Sequence, residues 1–209
     1  MENGNNIKSI FFNITGYLIL FIQQIPGLWI WIPFMAAPVI IIISALLSNL
    51  PTSITEAYQN FFMLNEVFIG KILIILSVII LVYSIIYLGL KKRQGLVTTG
   101  PYRFVKHPQY TGFLLLTIGL TAWSYFYIKN FFGRSWISAD ETIALWYLEL
   151  LAYIILAFIE ERYLSKKFGI EYISYKNKTS LFIPLPKSGK FDVVISTLIF
   201  SFLLYIAII

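Results

Sequence analysis

Apolar and polar positions along this chain separate into long blocks rather than alternating within short elements. Runs at residues 10–22, 28–47, 67–90, 110–127, 143–159 and 193–209 are dominated by aliphatic and aromatic side chains. A bilayer core of about 30 Å takes roughly 20 apolar residues in a helix. The pattern therefore predicts an all-α, polytopic integral membrane protein with about five to six transmembrane helices. The run at 10–22 is short and holds Asn13, Thr15 and Gly16. The run at 28–47 carries Pro33 and Pro38, which a membrane helix accommodates as a kink when neighbouring groups take up the freed carbonyls. The run at 67–90 is the cleanest and stops at Lys91-Lys92-Arg93. The runs at 110–127 and 143–159, joined by a loop with Arg134, Asp140 and Glu141, read as a helical hairpin. The run at 193–209 is long enough to span marginally, or to lie as a re-entrant or docking helix.

Between these runs the polar sequence collects in two places. One is KKRQGLVTTGPYRFVKHPQYTG, residues 91–112, which holds the chain's single histidine, His107. The other is EERYLSKKFGIEYISYKNKTSLFIPLPKSGK, residues 160–190, which reads as an interfacial helix followed by a Pro-bounded tail. The whole chain, 1–209, then forms a single membrane-embedded domain. Spans occupy 1–90, a polar catalytic region 91–190 and a C-terminal hydrophobic helix 191–209.

Composition sharpens this picture. The chain is 58% hydrophobic and 12% charged, about half the charge share of a soluble domain, and its mean hydropathy is +0.79. With no cysteine it has no disulfide, thiolate metal site or cysteine nucleophile. The net charge of +6 sits beside apolar runs, which points to topology and anionic lipid rather than nucleic acid. Lys91, Lys92, Arg93, Arg103 and Lys106 fall in one loop. Arg162, Lys166, Lys167, Lys176, Lys178, Lys187 and Lys190 fall in another. Two spans separate these loops, so both lie on one side, and the positive-inside rule makes that side the cytoplasm. The charges gather at interfaces, which disfavours a transporter built on an intramembrane ionisable pair. The start, MENGNNIKSIFF, lacks a basic n-region and a small-residue cleavage site, so it reads as part of the mature protein.

Two local readings stay open on residues alone. Glu160-Glu161 can answer Arg162, Lys166 and Lys167 as helix neighbours, and His107-Pro108 can simply start the following helix. A lone histidine without cysteine is a poor zinc site, so no metal is expected.

The spacing of the two polar blocks adds a further reading. Gly100-Pro101-Tyr102, Lys106-His107-Pro108-Gln109-Tyr110-Thr111-Gly112, and Glu160-Glu161 through Leu164, Phe168-Gly169, Tyr172 and Tyr175-Lys176 together resemble the isoprenylcysteine carboxyl methyltransferase family. That family's wider group includes the membrane phospholipid N-methyltransferases. The resemblance covers about residues 90–186. It implies S-adenosylmethionine as methyl donor, held without a Rossmann domain in a pocket on the cytoplasmic face. It also implies a lipophilic or prenylated acceptor reached through the bilayer lipids. Cofactor contacts are implied at Gln94, Gly95, Leu96, Val97, Tyr102, His107, Pro108, Gln109, Tyr110 and Glu160. Glu160 or Glu161 would act as general base if the acceptor were an amine. A carboxylate acceptor, already ionised, needs none. Two positions depart from the pattern. Lys106 stands for an arginine, and Leu156 stands where the carboxyl methyltransferases carry the arginine thought to hold the substrate carboxylate. The second departure favours a phospholipid amine or another small isoprenoid acceptor. A non-catalytic membrane scaffold or transporter, and a sterol-type reductase, are the competing classes.

Overall fold

In a computed structural model of the chain, the structure describes residues 66–131, 138–185 and 191–209, all within one compact unit. The expected runs at 10–22 and 28–47 lie outside the described residues. The described part is helical: α1 (Phe68–Lys91), α2 (Pro108–Phe131), α3 (Ala139–Phe168), the short α4 (Ile170–Lys176) and α5 (Asp192–Ile208), with 3-10 turns at Lys92–Gln94 and Gly100–Arg103. Among these, α1, α2 and α3 are long and apolar enough to cross a membrane, whereas α5, with 17 residues, is shorter.

Helix α2 is the hub, packing against α1, α3 and α5. The α1 face that meets it repeats small and aliphatic residues at Gly70, Leu73, Ser77, Leu81 and Ser84, all buried. The opposite α1 face, with Ile72, Ile75, Ile79, Val82 and Ile86, is exposed and apolar, as a lipid-facing surface must be. Small residues let membrane helices approach backbone to backbone. A Cβ added at Gly119 of α2 would stand 2.5 Å from the Gly70 carbonyl oxygen. Any larger residue there forces α1 and α2 apart.

Helix α3 corrects the sequence expectation. Residues 143–159 and the EERYLSKKF segment are one continuous 30-residue helix, not a span followed by a separate interfacial helix. At 1.5 Å per residue it is about 45 Å long, more than a bilayer core, so its charged end projects past the apolar layer. Its start is fixed by a capping box. Ser138 Oγ accepts from the Glu141 N–H, and Glu141 Oε2 accepts from the Ser138 N–H. Helix α3 also breaks the expectation that charges keep to the interfaces. Glu149 is fully buried inside the span, with Thr117 of α2 as its polar neighbour.

The Pro-bounded tail becomes a strap. Lys106 N–H donates to the Ser180 carbonyl at 2.8 Å, and His107 N–H to the Leu181 carbonyl at 3.2 Å. Thr111 Oγ1 donates to the Phe182 carbonyl at 2.5 Å. The strap is tied in turn to α5, where Asp192 Oδ2 accepts from the Leu181 N–H at 2.6 Å. The side chains of its own Leu181 and Phe182 are buried.

Candidate active site

The loop between α1 and α2 is held from three directions. Tyr87 of α1 shares a hydrogen bond with Thr99 at 2.7 Å and lays its ring against Gly100. Gly100 has φ +61°, and a Cβ there would come within 2.6 Å of that ring, so both conformation and space select glycine. Tyr175 of α4 donates its hydroxyl to the Tyr102 carbonyl at 2.7 Å. The strap holds the far end of the loop at Lys106 and His107.

So positioned, the loop meets the charged end of α3, and the two adjacent glutamates there part company. Glu161 is 2% exposed and lies between two lysines, Lys106 at 2.7 Å and Lys176 at 2.6 Å. Asp192 stands 4.0 Å from Lys106 on the other side. The helix-neighbour pairing with Arg162, Lys166 and Lys167 is therefore not the arrangement found. The partners come from the loop before α2 and from α4.

Glu160, 40% exposed at its side chain, faces a cavity instead. Its Oε2 accepts from the Tyr110 hydroxyl at 2.8 Å and lies 3.2 Å from His107 Nδ1. The His107 ring stacks on Tyr110 at 5.1 Å and 5° between planes, and Tyr110 in turn leans on Tyr153 of α3. The His107-Pro108 pair also does what its local reading expected. Pro108 opens α2, and the His107 carbonyl accepts the Thr111 N–H at 3.0 Å.

The cavity encloses about 220 Å³. Of the residues expected at a cofactor site, Gly95, Leu96, Val97, Tyr102, His107, Gln109, Tyr110 and Glu160 line it; Gln94, Pro108 and Glu161 do not. Its wall also includes Leu88, Lys92, Lys106, Leu164, Lys167, Phe168, Tyr172 and Tyr175. Of these, Tyr172 and Tyr175 carried a sequence signal, since three-residue spacing puts them on one face of a helix. Leu164 and Phe168 belong to the second polar block quoted above, whereas Leu88, near the end of an apolar run, carried none. Leu156, buried one turn before Glu160, is not part of this wall.

Residues 63–127 match the family model of the isoprenylcysteine carboxyl methyltransferase (ICMT) family. That match, over about a third of the chain, makes the segment similar to the ICMT family. The match supports a membrane methyltransferase of the ICMT kind. No curated protein and no solved structure matches the chain. The ICMT segment takes in α1, the loop and most of α2, and ends before α3. Glu160 joins it through space, by its contacts with His107 and Tyr110.

The residues present suit the methyl donor that such a family implies. His107 Nε2 and the hydroxyls of Tyr102 and Tyr172 are buried without partners, although each residue lines the cavity. Buried polar atoms are rarely left so, and a ligand rich in hydrogen-bonding groups would satisfy them. Burial, with the Glu160 charge nearby, pushes the Tyr102 phenol above its ordinary range. Burial, with the Glu161 charge next in weight, does the same at Tyr172 and Tyr175. These phenols thus remain neutral donors rather than bases.

Proposed function

We propose that this chain is an S-adenosylmethionine-dependent methyltransferase that modifies a lipophilic acceptor entering from the bilayer. The observation that carries it is the meeting of Glu160 with His107 and Tyr110 at a cavity whose wall holds unpartnered polar atoms. When bound, the cofactor supplies an electrophilic methyl group on a sulfonium. The chain's residues bind, orient and exclude water. Aromatic faces of Tyr102, Tyr110, Phe168 and Tyr172 suit an adenine ring and a sulfonium. The Lys92 and Lys167 ammoniums suit a carboxylate, and Glu160 suits a cationic group. Alignment of donor and acceptor is most of what such a displacement requires.

In this reading the protein has five to six spans, with 10–22 and 28–47 supplying the N-terminal ones. The cavity faces the cytoplasm, as the two basic loops favour. The ICMT example makes the product an isoprenoid methyl ester. Leu156, apolar and buried where those enzymes carry a cation, favours an amine acceptor as the second reading.

Purified protein in detergent should bind S-adenosylmethionine by calorimetry. His107→Ala and Glu160→Ala should each weaken that binding about tenfold or more, the worth of a hydrogen bond to a charged group. Unchanged affinity in both variants would sink the site, and no binding by the unmodified protein would revive a non-catalytic role. Alkali then separates the products: it releases label from a methyl ester and leaves an N-methyl group in place.

A further inference from the structure

The outer side of the cavity wall carries chemistry that the cavity does not use. Helix α3, about 45 Å long, matches the bilayer core plus its headgroup layers, so its charged end stands at headgroup level. There Gly169, at φ +56°, ends α3 and sends the chain into α4. Helix α4 has two unlike faces. Tyr172 and Tyr175 turn inward and line the cavity, held by the Tyr175 bond to the Tyr102 carbonyl and by Lys176 on Glu161. Ile170 and Ile173, each two residues before one of those tyrosines, turn outward and are 85% and 49% exposed. Ile170 is the most exposed large apolar side chain among the described residues. Cations accompany that face. The exposed apolar stripe of α3, Leu151, Ile155, Phe158 and Ile159, continues at three- and four-residue spacing into Arg162 and Lys166. Lys178 follows α4. All three cations are exposed, and none pairs with a carboxylate among the described residues.

We propose that α4 docks on an anionic lipid leaflet and that this contact fixes the tyrosine wall of the cavity. Ile170 and Ile173 rest among the upper acyl chains, and Arg162, Lys166 and Lys178 meet the headgroup phosphates. What the wall serves rests on the methyltransferase reading above; the contact itself does not. An amphipathic segment with apolar residues on one side and basic residues around it binds a membrane surface through buried apolar area and attraction to anionic lipid. Water over this face would leave two isoleucines solvated on one turn of helix. A zwitterionic leaflet would cover the isoleucines but offer the three cations no net charge. An anionic leaflet answers both. Tyr163, exposed at the same level of α3, is a residue type that membrane interfaces favour.

The chain has no cysteine, so Ser174→Cys, exposed on α4, accepts a single bimane label in the full-length protein. The labelled protein is placed in nanodiscs of phosphatidylcholine, or of equal parts phosphatidylcholine and phosphatidylglycerol, without S-adenosylmethionine. Lipids brominated in the upper acyl chain should quench the label, more strongly in the phosphatidylglycerol discs. Amide exchange across Ile170–Lys176 should slow about tenfold or more when phosphatidylglycerol is added, as two or more cations at an anionic surface provide. High salt should erase that difference. Ile170→Ser with Ile173→Ser should remove the quenching. Arg162→Gln, Lys166→Gln and Lys178→Gln together should remove the response to phosphatidylglycerol while quenching in phosphatidylcholine persists. No quenching in either lipid, or equal exchange in both, overturns the proposal whether or not S-adenosylmethionine binds. Failure to bind S-adenosylmethionine in discs where α4 is quenched and protected would instead overturn the methyltransferase reading and leave the leaflet contact standing.

Discussion

Glu160 and Glu161 are neighbours in sequence, yet they occupy different chemical worlds. A helix turns about 100° per residue, and at this point on α3 that rotation separates a cavity from a closed ion cluster. Glu161 is shut away with Lys106, Lys176 and, at longer range, Asp192, and it ties the loop, α3, α4 and α5 together. Glu160 has one oxygen committed to Tyr110 and His107, and its side chain remains 40% exposed. The difference teaches that charge type at a membrane interface does not define a role. Desolvation and partner count do.

Substitutions should separate the two residues sharply. Glu161→Leu strands the buried Lys106 and should cost about 3–5 kcal/mol of stability, read as thermal unfolding of the detergent-solubilised protein. Adding Lys106→Met should restore at least about 1 kcal/mol, since an apolar pair of similar size removes the stranded charge. No recovery would mean that the cluster acts through something other than its charges. Glu160→Gln should change stability by less than about 1 kcal/mol, because its own side chain is 40% exposed and the amide oxygen can still accept from Tyr110. A loss as large as that of Glu161→Leu would erase the distinction drawn here. A comparably small effect falls on the bond that clamps the loop to α4. Tyr175→Phe deletes the bond to the Tyr102 carbonyl and should cost about 1 kcal/mol. It should also speed amide exchange around Gly100–Arg103 without altering exchange in α1.

Much of this organisation was legible in the sequence where one local rule governs. The end of α1 at Lys91 and the start of α2 at Pro108 follow from a basic cluster and from proline at a first helical turn. The extension of α3 through Glu160-Glu161 was not, because hydropathy reports solvent and not backbone. Those residues are good helix formers, and the ladder runs on until Gly169. The partners of Glu161 were hidden for a different reason. Sequence shows only neighbours three and four apart, while Lys106 and Lys176 arrive through tertiary packing. Glu149 was visible within an apolar run, but its complete burial depended on Trp146, Tyr153 and α2 closing around it. The strap was least legible. Ser180, Leu181 and Phe182 contribute backbone carbonyls, which every sequence possesses and none advertises.

That strap sets an order of events during synthesis. Thr111 is bonded to a residue 71 positions later, and the Tyr102 carbonyl to a side chain 73 positions later. At roughly 5–20 residues per second, a nascent chain carries the His107 loop for about 4–14 s before Phe182 exists. Through that interval α1 and α2 can already pack at Gly70 and Gly119, while Lys106 and His107 hold open backbone donors to water. The cavity is thus completed after the helices that carry it, and a chain stalled before residue 180 holds α1, α2 and α3 without the strap that fixes the His107 loop.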